Sequence, residues 1–221
     1  MIRVYGYIGR ISEDLRRDVS QASVVVGGRR HLDILQVPEE KRVILGKIAP
    51  AVEKLSELSD DELGVVVASG DPLLFGVVRR MRQAGLKPEV IMAPSSIQLA
   101  FAAIALPWDD AKIVSAHAHD IDPTVEICRK YPKVAVLTAP ERGINDLAQE
   151  LADIERWYVL AEKLGEPEER VLVLDQKQAA TVETVSPNVV LVLAYHPDDP
   201  RIIGQNPAIQ GEPIVVEEPT L

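Results

Sequence analysis

The chain has 221 residues, 47% of them apolar, 26% charged and 4% aromatic, with a formal net charge of −10. The acidic balance and scarce aromatics exclude the basic footprint and stacking platforms of a nucleic-acid binder. One cysteine, Cys128, excludes an internal disulfide, and no apolar run reaches the length of a membrane span. The opening MIRVYGYIGRIS reads as a first strand and lacks a secretory pattern, so a cytoplasmic protein is expected.

Residues 2–8 predict a strand, with Gly6 and Gly9 at its end. The dinucleotide fingerprint G-x-G-x-x-G is absent, which removes the main support for a nicotinamide-binding Rossmann domain. Ser12 is placed to cap a helix through Glu13, Asp14 and Leu15. Residues 23–26 predict a second strand, followed by the turn Gly27-Gly28 and then Arg29-Arg30-His31. Three potential cations behind a glycine pair suit a carboxylate or phosphate, because guanidinium matches planar anions bidentately. The bland reading is a solvated helix start with exposed arginines. Residues 48–58 are amphipathic, and Asp60-Asp61-Glu62 is an acidic turn.

The apolar run at 65–68 then predicts a buried strand leading into Ser69-Gly70-Asp71-Pro72 and the helical pattern LLFGVVRRMRQAG. Strand, tight glycine loop and helix are the parts of a ligand crevice at the carboxyl end of a parallel sheet. Gly70 lets a ligand approach the backbone, and Asp71 offers an acceptor for an amine or hydroxyl. Asp71-Pro72 also reads as a plain helix N-cap with proline at the first helical position. Residues 87–92 predict a short strand. Ser95 or Ser96 then caps an Ala-rich helix over 97–105, whose first amides suit a carboxylate. Leu106-Pro107-Trp108 ends it.

The run SAHAHDID, residues 115–122, reads as a linker, and we place a domain boundary between residues 113 and 114. His117 and His119 lack a third matched ligand, so no metal site is expected. Beyond it, strands are predicted at 134–139, at 157–165 running into a loop, at 171–175 and at 189–195, and a helix at 144–154. A Pro-rich polar tail follows His196. Both halves are therefore α/β.

Several segments, in order, resemble the tetrapyrrole (corrin/porphyrin) methylases, and most closely the CbiE-type subfamily that methylates C5 of the precorrin ring. They are ASVVVGGRRHL, ASGDPLLFG, APSSIQLAFAAIALPWDDAKIVSAH, LTAPERGINDLAQEL and AEKLGEPEERV, which together span about residues 22–171. The chain departs from the family at two places. The opening G-x-G-x-G turn keeps only Gly6 and Gly9, and the usual S-x-H-G-R reads Ser115-Ala116-His117-Ala118-His119.

The resemblance implies two α/β domains, 1–113 and 114–221, with the cofactor in a cleft between them. It also implies an S-adenosylmethionine-dependent transferase of cobalamin (porphyrin-type) biosynthesis, acting at C5 of cobalt-precorrin-7 or precorrin-6Y. Gly70, Asp71, Leu74, Ser96, Ile97, Leu160 and Ala161 would then line the cofactor site. Arg29, Arg30 and His31 would hold the acetate and propionate groups of the ring, and His117 is the candidate for proton handling. A homodimer is expected by analogy. The C15 methylation and decarboxylation is expected from a separate enzyme. Alternatives are another methylase of the same fold or a SAM-binding module without turnover.

Overall fold

The computed structural model describes residues 1–46, 48–116, 121–139 and 142–204. Contacts divide the chain into two compact units, Met1–Ser96 and Ile97–Leu221. The expected boundary at 113/114 falls inside a strand, β6 (Lys112–Ser115), which pairs in parallel with the next strand of the second unit. Its four residues include a Lys and a Ser, which leaves too short an apolar run to mark a strand in the sequence.

The first unit is a parallel sheet of β1 (Ile2–Tyr7), β2 (Val24–Gly27), β3 (Arg42–Ile44), β4 (Gly64–Ser69) and β5 (Glu89–Ile91), in the order β3-β2-β4-β1-β5. Its helices are α1 (Glu13–Gln21), α2 (Arg29–Ile34), α3 (Ile48–Ser56) and α4 (Val77–Gln83). The valine runs are continuous because both faces of the sheet are covered. Tyr5, Tyr7, Val25, Val65 and Val67 pack with Leu15, Val19 and Leu32 of α1 and α2. The alternate residues Val4, Val24, Val26 and Val66 pack with Ala51, Leu55, Val78 and Met81 of α3 and α4.

Ser12 caps α1 as expected, accepting from the Leu15 N–H at 3.1 Å. Further along α1, buried Asp18 accepts from the Tyr5 hydroxyl at 2.5 Å and from Arg3 Nη1 at 2.7 Å, which ties the helix to β1. Burial alone would push the Asp18 carboxyl up. The hydrogen bonds from Tyr5 and Arg3 outweigh it and hold the group below its ordinary value. Burial and the Asp18 carboxylate together push the Tyr5 hydroxyl well above the phenol range.

The second unit opens with α5 (Ser96–Ala103), whose first residue closes the first unit. Its sheet adds β7 (Lys133–Leu137), β8 (Trp157–Glu162), β9 (Arg170–Leu174) and β10 (Asn188–Leu193) to β6, in the order β6-β7-β10-β8-β9. The β6–β7 pairing is parallel, and the neighbouring pairs β7–β10, β10–β8 and β8–β9 are antiparallel. The helices are α6 (Asp122–Lys130), α7 (Ile144–Glu150), α8 (Gln176–Ala179) and α9 (Pro200–Ile203). Val134, Val136, Tyr158, Leu160, Val190 and Val192 share one core with Val125, Cys128, Ile144 and Leu147. Lys133 is fully buried. Its Nζ lies 2.5 Å from Asp110 Oδ1 and 2.8 Å from the Pro107 carbonyl, which pins the segment after α5 to β7. No described helix is long and apolar enough to cross a membrane.

Candidate functional site

In the first unit β2 leads outward to β3, whereas its neighbour β4 leads across β1 to β5. Connections that diverge from adjacent parallel strands mark the place where open α/β sheets take ligands, outside the carboxyl ends of the strands. Gly70 follows β4 at this edge. It is buried, with φ +65°, a conformation that glycine adopts without steric cost. Its N–H donates to the Tyr7 carbonyl at the end of β1 (2.8 Å). A Cβ on Gly70 would lie 3.4 Å from the Ser96 nitrogen and 3.5 Å from the Ser95 Cα. Three loops, those after β1, β4 and β5, thus converge on one residue.

Gly6 makes that convergence possible. A Cβ there would sit 2.5 Å from the Gly70 carbonyl oxygen and 2.7 Å from both the Cβ and the nitrogen of Ala93. The missing side chain is filled by the protein's own backbone, so Gly6 serves packing rather than ligand approach. It lies inside β1, not in the turn beyond it.

The segment after Gly70 departs from expectation. Asp71 does not cap a helix, and Pro72 does not occupy a first helical position. Asp71 Oδ1 accepts from the Leu73 N–H at 2.8 Å, and its carbonyl accepts from the Leu74 N–H at 3.2 Å. This closes a local turn that competes with the helix. Phe75 then takes φ +51°, and α4 starts only at Val77 behind Gly76. Leu73 and Phe75 are 56% and 48% exposed at this edge. Leu74 is half-buried. Ser96 is the first residue of α5 and Ser95, buried, precedes it.

The predicted anion triplet divides. Arg29 and Arg30 open α2 behind Gly28 and are exposed. His31 instead turns inward with 6% exposure. The helical turn points residues two apart to different sides, and His31 shares the inner side with buried Leu32. Its Nε2 lies 3.3 Å from Ser69 Oγ, and its ring meets Tyr7 edge-on with centroids 5.1 Å apart. Ser69 and Tyr7 were not singled out from the sequence. Their one signal was position, each ending a strand.

Ile97, Leu160 and Ala161 belong to the second unit. Ile97 is fully buried in the first turn of α5. Leu160 and Ala161 are fully buried in β8, an inner strand flanked by β10 and β9. The Leu160 side chain belongs to the core of the second unit. His117 lies outside the described residues, as do His119 and Asp120.

A left-handed glycine and the amides opening α5 offer backbone approach and N–H donors, and Asp71 Oδ2 is available beside them because its partner oxygen is turned to Leu73. The chain matches the Tetrapyrrole (Corrin/Porphyrin) Methylases over residues 6–180. It is 30% identical, over 74% of its length, to a decarboxylating precorrin-6Y C(5,15)-methyltransferase of a Sinorhizobium species. It is 28% identical, over 69% of its length, to the cobalt-precorrin-7 C(5)-methyltransferase of Salmonella typhimurium. The chain spans 41% of the Sinorhizobium relative, 78% of the Salmonella one and 51% of a further relative from Methanocaldococcus jannaschii. The crystal structure of a cobalamin biosynthesis precorrin-6Y methylase from Archaeoglobus fulgidus superposes with a TM-score of 0.61 at 24% identity, covering 87% of this chain and 97% of that one. Methylases of this family use S-adenosylmethionine. With a family match spanning most of its length and the glycine edge built as described, the chain belongs to the tetrapyrrole (corrin/porphyrin) methylases.

Proposed function

We propose that the chain transfers a methyl group to C5 of a precorrin-type tetrapyrrole, cobalt-precorrin-7 or precorrin-6Y. The observation that carries this reading is the meeting of Gly70, Ser95 and Ser96 at the carboxyl edge of the first sheet, with Asp71 beside it. The names of the Sinorhizobium and Salmonella relatives support the ring position. S-adenosylmethionine, when bound, supplies an activated methyl group on a sulfonium. The protein's part is then positioning and exclusion of water.

Asp71 Oδ2 would accept from the amino group or ribose of the cofactor, and the α5 amides would donate to its carboxylate. Leu74 would contribute apolar surface. Arg29 and Arg30 would hold carboxylates on the ring, which lets an acidic protein keep a polyanion at a locally basic place. His117 is our candidate for moving the ring proton, on its chemistry alone.

Calorimetric titration with S-adenosylmethionine tests the site. Asp71→Ala should weaken binding by about tenfold or more, since about 1.4 kcal/mol is one decade. The double variant Arg29→Ala/Arg30→Ala should weaken binding of the precorrin far more than of the cofactor. Unchanged cofactor affinity in Asp71→Ala removes the assignment. Methylation at a ring position other than C5, read by NMR of the product, overturns the specificity.

A further inference from the structure

We propose that His31 is a positioning residue for the Gly70 edge, acting through Ser69 and Tyr7 rather than by touching a ligand. The proposal rests on the cofactor reading above and adds a residue to it. β2, β4 and β1 lie side by side, with β4 in the middle. Ser69 is the last residue of β4 and Tyr7 the last of β1, and they pair in register. His31 enters from α2, which follows β2. Its ring therefore reaches past the end of the middle strand to the far one. On the way, Nε2 comes within 3.3 Å of Ser69 Oγ, and the far face of contact is the Tyr7 ring. On the near side, a Cβ added at Gly28 would stand 3.6 Å from His31 Nδ1.

One imidazole thus spans three strand ends. Two of the residues it touches bear directly on Gly70. Ser69 precedes it in the chain, and the Tyr7 carbonyl accepts its N–H. Gly70 holds a left-handed conformation, so its carbonyl and the Asp71 side chain are aimed by where the flanking residues are held. The same ring separates the roles of the Gly-Gly-Arg-Arg-His segment. The arginines stay at the surface for anions, and the histidine locks the neighbouring loop.

The experiment compares His31→Ala, His31→Gln, Ser69→Ala and the double variant His31→Ala/Ser69→Ala, each in the full chain. Two quantities are read: the Kd for S-adenosylmethionine by calorimetry, and the hydrogen-exchange rates of the amides of residues 69–71 in the free protein. His31→Ala should raise the Kd by about tenfold, one decade per ~1.4 kcal/mol. His31→Gln, which keeps a hydrogen-bonding group at the same reach, should return within about threefold of the parent, and the double variant should be no worse than His31→Ala, because the two side chains form one unit. Exchange at residues 69–71 should quicken in His31→Ala while the β2 amides stay protected. A His31→Ala protein with parental Kd, a Gln variant as weak as the Ala one, or additive losses would each overturn the proposal. Should the parent protein bind no S-adenosylmethionine, the cofactor reading fails. The exchange rates then still decide the positioning role, unchanged rates refuting it and faster rates upholding it.

Discussion

Gly6→Ala is the most informative single change. The added Cβ would meet the Gly70 carbonyl oxygen at 2.5 Å and the Ala93 nitrogen and Cβ at 2.7 Å. These distances are well inside van der Waals contact, and the neighbours are two backbone atoms and an alanine Cβ fixed to the backbone, none of which can rotate away. Either β1 shifts against β4 and β5, or the Gly70 loop is pushed off its place. Overpacking of this kind costs about 1–3 kcal/mol. For a chain of this size that corresponds to a fall in Tm of roughly 2–12 °C. The loop is the softer partner, so affinity for S-adenosylmethionine should fall as well. Gly46→Ala is the matched control: nothing lies within 4 Å of its added Cβ, and the position is exposed. It should stay within about 0.5 kcal/mol of the parent. Thermal unfolding and calorimetric titration of both variants test this. Equal Tm and equal cofactor affinity for the two would refute the reasoning.

Asp18→Asn should cost about 1–3 kcal/mol by weakening the bonds from Tyr5 and Arg3. Because the folded carboxyl is held below its ordinary value, the parent's advantage is full above the unfolded pKa of ~3.9 and is lost as pH falls through the folded one. Urea midpoints followed from about pH 6 down to pH 3 should therefore show the gap between the two proteins narrowing at the acid end; a constant gap would contradict the assignment. Lys133→Ala should cost about 3–5 kcal/mol, since it strands Asp110 and the Pro107 carbonyl. Adding Asp110→Ala should recover part of that loss in a double-mutant cycle, whereas full additivity would mean the pair is not coupled. Burial pushes the Cys128 thiol up to about 12. Labelling by a disulfide reagent at neutral pH should accordingly follow unfolding, and rapid labelling of the native protein would show the core of the second unit to be open.

β2 and β4 were legible because burial on both faces writes them as unbroken valine runs, whereas the three-residue edge strand β3 offers no such run and was not read. The glycine loop after β4 was legible as a loop, yet its helix was placed five residues too early. An Asp side chain that bonds a nearby N–H serves a turn and an N-cap equally well, and only the following Phe75 and Gly76 decide. Asp18, Lys133 and Glu162 carry charges yet are buried, and each is satisfied by a partner well away in sequence: Tyr5, Asp110 and Arg170. No periodicity reports such a partner. The same holds for His31, which sits beside two exposed arginines in sequence and beside Ser69 and Tyr7 in space. Short α6 and β6 were not read as elements, because Lys, Ser, Asp and Thr dilute their apolar residues.

The order of the first sheet also governs how the protein is made. β1 leaves the ribosome well before its partners: Ile2 pairs with Gly64, and Arg3 with Glu89. The nascent chain must therefore carry an unmatched apolar strand until almost the whole unit has been synthesised. Distant parallel pairings of this kind slow closure and leave the segment open to wrong associations in the meantime. Translation stalled before residue 64 should hence leave a sticky, chaperone-dependent intermediate, and release beyond residue 91 should let the sheet zip around its oldest strand.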